Sequence, residues 1–344
     1  MKALVLGCGS IGFRHIGHLR QLGLSDLEAA DPNPAVRNRV RQHYGLPVHE
    51  SAEKALERRP EMVLVCTPAA THMPLTLQAL KAGAHVFVEK PLSTKVEGTE
   101  ELAKVAAAAG RFVQVGYNLR YHPAVQAAKR LVEEGRLGKV LMAHAEFGLY
   151  LERWWPGRDY RTSYLAKPEQ GDSLLLDASH EIDLLLWLLG PVREVTGAVA
   201  KLSGLEIRGV DAIKVVMTMA DGCLTSLHID CLQPVYTRGF TLIGEGTGLK
   251  WDCPHGRADT TIGRLMLCDR NSSRYTRVRV QGHAQDLYVE ELRDFLRSVE
   301  GGTPPMVGLA QGIEVLRVAA AIEQAVRADG VSPRYAPGQK ELLC

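Results

Sequence analysis

The chain has 344 residues, enough for two domains of ordinary size, and its 46% hydrophobic and 23% charged residues are the mixture of a globular fold. A formal net charge of +2 gives no electrostatic case for nucleic acid, and the apolar stretch 174–189 is broken by Asp177, His180, Glu181 and Asp183, so no membrane span is expected. Seven cysteines, at 8, 66, 223, 231, 253, 268 and 344, are odd in number and lack any C-x-x-C pair, which predicts reduced thiols, a cytoplasmic location and no metal site.

Val5-Leu6-Gly7-Cys8 imitates a lipoprotein cleavage box, but the apolar run before it, Ala3 to Leu6, is too short for a signal segment and reads as a buried first strand. The first third alternates short apolar runs with helical patterns, the rhythm of βαβ units and a parallel sheet. Strands are predicted at 2–6, 27–30, 62–66, 84–88 and 112–116, and helices at about 11–22, 34–43, 51–58, 71–82 and 95–109. Pro34 after Asn33 has the N-cap and N1 arrangement, and Gly83 and Gly110 stand where helices stop. From about residue 138 the rhythm changes. Segments 138–150, 192–203, 210–219, 223–232 and 237–243 read as strands of an open, mostly antiparallel sheet. Helices are predicted near 173–188, 285–299 and 308–328. The arginine-rich stretch 257–279, with a turn at Asp269-Arg270-Asn271, reads as a solvated edge. The division expected is 1–122 and 123–344, joined by a helix beginning near Pro123.

The strand 2–6 runs into Gly7-Cys8-Gly9-Ser10-Ile11-Gly12 and then a helix, and Asp31 ends the next strand about 20 residues later, the fingerprint of a dinucleotide-binding Rossmann unit. Gly7 permits the tight turn, Gly9 lets a pyrophosphate approach the backbone, Gly12 lets helix and strand pack closely, and the N–H groups at Ser10 and Ile11 open the helix toward the phosphates. Asp31 would accept the ribose hydroxyls and repel a 2′-phosphate, favouring NAD over NADP; Arg37 nearby softens that selectivity. The alternative for Asp31 is an N-cap, which Asn33 could supply instead. Thr67-Pro68 and His72 follow the strand 62–66 at its carboxyl edge, either as cofactor contacts or as a turn into the next helix with a surface histidine.

The strand 84–88 ends in Glu89-Lys90-Pro91. With G-C-G-S-I-G at 7–12, C-T-P-A-A-T-H at 66–72, A-G-A-H-V-F-V-E-K-P at 82–91, V-G-Y-N-L-R-Y-H-P at 115–123 and L-L-D-A-S-H-E-I-D at 175–183, the chain resembles the Gfo/Idh/MocA oxidoreductases. The resemblance spans essentially the whole chain. It implies a Rossmann domain and an α/β domain whose open sheet builds homodimers or homotetramers, with NAD(P)-dependent chemistry on sugars, sugar derivatives or cyclitols. It makes Lys90 the catalytic lysine, places Glu89 beside the nicotinamide, and makes His180 the histidine of the second-domain motif. Many relatives carry aspartate four residues before that histidine. Here that position is Leu176 and Asp177 lies three before, as in a branch associated with bacterial surface sugars.

These residue types suit alcohol oxidation, in which a proton leaves oxygen while hydride leaves carbon. Histidine titrates near neutrality and can take that proton, and a lysine ammonium can stabilise charge on the reacting oxygen. Residues three or four apart on a helix share a face, so Asp177 is expected either to orient His180 or to cap the helix, and Asp183 is the other candidate orienter. Trp154, Trp155, Arg158, Tyr160 and Arg161 combine aromatic faces with cationic forks that would suit a polar, acidic or nucleotide-linked sugar; the alternative is a loop packed between domains or subunits. Asn118 and Arg120 are expected on the same cleft. The rival functions are an NAD-using glycosidase and a non-catalytic sugar sensor.

Overall fold

The structure is a computed structural model and describes residues 1–154, 156–166, 173–207, 209–253, 263–280 and 286–328. Strands β1 (Ala3–Leu6), β2 (Leu27–Ala30), β3 (Val48–His49), β4 (Met62–Val65), β5 (His85–Glu89) and β6 (Val113–Gly116) form a parallel sheet in the order β3-β2-β1-β4-β5-β6. Helices α1 (Ser10–Gln21), α2 (Pro34–Tyr44), α3 (Ala52–Leu56), α4 (His72–Lys81) and α5 (Thr99–Ala109) connect the strands. β1 and β4 are buried along their whole length, as strands covered by helices on both faces must be. The Asn33 side chain accepts the Ala35 N–H with Pro34 at the first helical position, so Asn33 and not Asp31 caps α2. The strand order reverses between β1 and β4, which opens a crevice outside their carboxyl ends.

Helix α6 (Pro123–Glu133) leads into the second unit. There β7 (Val140–Gly148) is followed by α7 (Leu174–Asp177), α8 (Ser179–Leu189), β8 (Val192–Ala200), β9 (Ala212–Met219), β10 (Leu224–Asp230), β11 (Thr237–Gly244), β12 (Thr247–Asp252), β13 (Arg264–Asp269) and β14 (Thr276–Arg277). The sheet order is β14-β13-β12-β11-β7-β10-β9-β8, antiparallel except where β7 and β10 run parallel. Along β9 the residues Ile213, Val215, Met217 and Met219 are buried and alternate with a wetter face, the period-two pattern that made this strand legible. Among the described residues no helix is long and apolar enough to cross a membrane.

Three differences from the expected elements bear on the site. The helix expected over 173–188 is two pieces. Ser173 caps α7 through the Leu176 N–H at 3.2 Å, and Ala178 interrupts the spiral before α8. Strands β12 to β14 were not expected; of the stretch 257–279, residues 257–262 lie outside the described residues, and the remainder forms an edge, but a hydrogen-bonded one, with β13 and β14 either side of the turn at Arg270-Asn271. Finally, α9 (Leu287–Gly301) returns to the first sheet, burying Leu292 and Phe295 against Val5, Leu64 and Phe87, and the Val115 N–H donates to the Val307 carbonyl at 2.9 Å ahead of α10 (Leu309–Ala328).

Candidate active site

The glycine turn fixes where a phosphate chain can approach. Gly7 has φ +81°, and a Cβ there would meet the Cys66 carbonyl at 2.8 Å. A Cβ on Gly12 would stand 1.9 Å from the Gly7 carbonyl oxygen, so helix α1 can sit on the turn only without one. A Cβ on Gly9 would meet nothing within 4 Å, leaving open space over the helix N-terminus. Gly12→Ala is accordingly expected to displace α1 and weaken dinucleotide binding by ~5-fold or more, since overpacking against backbone costs on the order of 1–3 kcal/mol; a fluorescence titration with NADH checks this.

Two adjoining cavities of about 590 and 450 Å³ share Gly9, Cys66, Thr67 and Pro68. The first is lined by Gly7, Ala30, Asp31, Pro32 and Leu75, among others, and its apolar walls suit an adenosine. The Asp31 carboxylate accepts the Cys8 N–H at 2.8 Å and the Asn33 N–H at 2.9 Å, tying the glycine turn to the end of β2. Arg37 donates to the Asp31 and Pro32 carbonyls at the same mouth. The second cavity is lined by Ser10, Ile11, Arg14, His72, Glu89, Lys90, Pro91, Asp177 and Tyr288. A trough with a carboxylate at one end, a glycine cradle in the middle and a lysine at the other end fits a dinucleotide.

His72 is not a surface residue. It is 2% exposed, with the Thr67 and Pro91 carbonyl oxygens each 2.7 Å from a ring nitrogen. It therefore straps the turn after β4 to the peptide after Lys90. Burial pushes its pKa down, although both carbonyl contacts pull upward.

Lys90 Nζ donates to the Asp177 carbonyl at 2.7 Å and to Asp177 Oδ1 at 3.0 Å. Two of its three protons are thereby used, and the third remains for a ligand oxygen. This corrects the expected pairing of Asp177 with His180. The break at Ala178 takes Asp177 out of the helix that carries His180, so the carboxylate turns to the lysine. Asp183 does not orient His180 either. It is fully buried and takes a fork from Arg120, with Nε at 3.1 and 2.9 Å from the two oxygens and Nη2 at 2.6 Å. Arg120, 4% exposed, is thus a structural cation and not a cleft contact, and Asn118 is 2% exposed beside it.

His180 is the second residue of α8. Its ring stands edge-on to Tyr117, centroids 5.6 Å apart, and the Tyr117 hydroxyl donates to Ser179 Oγ at 3.3 Å. Its Nδ1 is buried without a hydrogen bond among the described residues. Burial first, then the nearby Arg238 and Lys90 cations, push its pKa well below the ordinary 6.5, so the imidazole is neutral at pH 7. Arg238 is itself held by Glu181, with Nε at 2.6 Å from Oε1.

The segment proposed to grip a sugar is largely self-satisfied. Trp154 donates its indole N–H to Leu149 at 2.7 Å and packs on Phe147, Tyr160 is 7% exposed with its hydroxyl accepting the Glu206 N–H, and Arg161 pairs with Asp159 and Glu206. Arg158 is exposed, and Trp155 lies outside the described residues. The loop reading thus fits Trp154, Tyr160 and Arg161 better than sugar contacts do. Sequence reasoning missed Arg14 and Tyr288, which line the second cavity and meet with the guanidinium 5.1 Å from the ring centroid. Arg14 follows the glycine motif by two residues and could have been found; Tyr288 comes from α9, which no local signal links to this cleft.

Residues 1–117 match the family model described as "Oxidoreductase family, NAD-binding Rossmann fold", and residues 125–250 match "GFO/IDH/MocA C-terminal domain". The chain is 28% identical to 1,5-anhydro-D-fructose reductase of Ensifer adhaerens over 76% of this chain and 78% of that protein. It is 29% identical to inositol 2-dehydrogenase of Paracoccus denitrificans over 88% of this chain and 87% of that one. Among solved structures, the WlbA dehydrogenase of Bordetella pertussis, in complex with NADH and UDP-GlcNAcA, has a similar fold, with a TM-score of 0.80 at 21% identity over 95% of this chain and 97% of that one.

Proposed function

The chain belongs to the Gfo/Idh/MocA family of NAD(P)-dependent oxidoreductases, and from that premise we propose that it moves hydride between NAD and a secondary hydroxyl, or the matching ketone, of a sugar derivative or cyclitol, with Lys90 and His180 acting on the reacting oxygen. The observation that carries this reading is Lys90 at the crevice end of β5, its amine held by the carbonyl and carboxylate of Asp177, three residues before His180. Bound nicotinamide supplies the hydride acceptor or donor. Lys90 donates its remaining N–H to the oxygen and stabilises negative charge there. His180, neutral at rest, takes the hydroxyl proton in oxidation and returns it in reduction. Asp177 fixes where the Lys90 amine points.

NAD is preferred over NADP because the Asp31 carboxylate faces the adenosine end of the trough, where a 2′-phosphate would meet like charge. Charged hydrogen bonds contribute ~1.5–3 kcal/mol, so Asp31→Ser should cost about 10-fold or more in kcat/KM for NAD while leaving NADP use level or improved. Equal losses with both cofactors would remove Asp31 from the selection. An acidic or nucleotide-linked sugar is the preferred substrate class, supported by the UDP-GlcNAcA bound in the Bordetella protein of similar fold.

Because the His180 pKa is lowered, the base stays unprotonated in mild acid. The acid limb of kcat/KM for oxidation is therefore expected below pH 6.5, not at it. The deciding assay offers NAD or NADP with sugars, cyclitols, uronic acids and nucleotide sugars and follows NADH absorbance, with the ketones tested in reverse. No turnover in either direction with cofactor bound would overturn the proposal, and free sugar released without net NADH would point to hydrolysis.

A further inference from the structure

Glu89, the last residue of β5, sits between the cleft and the interior. Its Oε1 lies 2.6 Å from His15 Nε2, and its Oε2 accepts the Lys90 backbone N–H at 3.3 Å. His15, on α1, is fully buried, with its ring edge-on to Phe87 at 5.3 Å and to Tyr288 at 5.7 Å. The other ring nitrogen, Nδ1, is buried with no hydrogen bond among the described residues. That arrangement selects a protonation pattern. An imidazolium would bury an N–H without an acceptor, at a cost of ~1–3 kcal/mol, whereas a neutral ring with its proton on Nε2 leaves only an idle lone pair. A neutral donor fixes the Glu89 carboxylate without cancelling its charge.

The neighbouring charges do not cancel it either. The Lys90 ammonium is matched by Asp177 at 3.0 Å. Glu291, on α9, is fully buried with neither carboxyl oxygen hydrogen-bonded among the described residues, and burial together with the Glu89 charge raises its pKa well above the usual range, so it offers no cation to the pair. Arg14 lines the same cavity, but it is exposed and solvent screens it.

We infer that the His15–Glu89 pair holds one unbalanced negative charge at the Lys90 end of the cleft and so favours the cationic ring of NAD+ over the neutral ring of NADH. The inference rests on the reading that the dinucleotide lies in this cleft with its nicotinamide toward Lys90. His15 is a positioning residue, acting only through Glu89.

The test is a pair of titrations of the full chain, one with NAD+ and one with NADH, by calorimetry or protein fluorescence. A unit charge beside a cationic ligand at a partly screened site is worth a factor on the order of 10. Glu89→Gln, which keeps the shape of the side chain, is expected to weaken NAD+ by ~10-fold and NADH by less than ~3-fold on that basis. His15→Phe should shift the ratio the same way, and His15→Gln, which keeps a donor near the Nε2 position, should restore it. An unchanged ratio in Glu89→Gln, or equal losses of both forms, overturns the inference even if His15→Phe fails to fold. If the unaltered protein binds neither dinucleotide, the placement of the cofactor is what fails, and the charge argument fails with it.

Discussion

His180→Ala is expected to lower turnover by about 10²–10⁴-fold, the usual contribution of a positioned acid–base group, while NAD binds with unchanged affinity. The two effects separate because His180 stands on α8 of the second unit, whereas the glycine turn, Asp31 and Thr67 belong to the first. Lys90→Met should cost about 10²–10³-fold in kcat for a different reason, the loss of a preorganised donor to the reacting oxygen. It also removes the Lys90 ammonium from Asp177. If both act on one oxygen, the double variant should be far less impaired than the product of the single losses. Stopped-flow single-turnover rates and NADH titrations on the three variants measure this. Added imidazole should restore part of the His180→Ala activity and none of the Lys90→Met activity. Full turnover in His180→Ala would assign the proton to another group.

What could be read in the sequence follows from how local each signal is. The glycine turn, β1, α1 and Asp31 lie within one βαβ unit, so spacing alone assembles them, and the Asn33-Pro34 cap is a two-residue signal of the same kind. β9 was legible because strict alternation survives at Ile213, Val215, Met217 and Met219. The last three strands were not, because β14 has two residues, β13 buries only Leu265, and β12 buries only Leu249 and Trp251. The partners of the charged groups were the least accessible. Spacing on an assumed continuous helix puts Asp177 on His180, but a single interruption at Ala178 sends it to Lys90, 87 residues away. Arg120, 63 residues before Asp183, was read as cleft-facing because an arginine after a strand end looks solvent-bound unless its buried carboxylate is known. His72 was misjudged for the same reason, its second carbonyl partner coming from Pro91.

That Arg120–Asp183 fork carries the largest stability effect expected here. Arg120 sits in the 3-10 turn after β6, Asp183 on the helix of His180, and the two side chains are 4% and 0% exposed. Removing one partner strands a buried charge, so Arg120→Met should destabilise the fold by about 3–5 kcal/mol. Burial already raises the Asp183 pKa, and only Arg120 pulls it down. Without the arginine the folded state would hold a proton that the unfolded chain, with a carboxyl near 3.8, gives up. The deficit should therefore deepen as pH rises above that value and be smaller at pH 5 than at pH 8. Asp183→Leu leaves the guanidinium buried and should cost a similar ~3–5 kcal/mol. The double variant Arg120→Met/Asp183→Leu should regain much of the loss, because two apolar side chains can fill the site without a charge to solvate. Urea unfolding of the four proteins gives the coupling directly, and additive losses would mean the fork is worth little. The fork also joins the turn after β6 to α8, and with it the units that carry Lys90 and His180. The double variant should therefore keep NAD affinity and lose kcat even where its stability returns, a split that a role in stability alone does not produce.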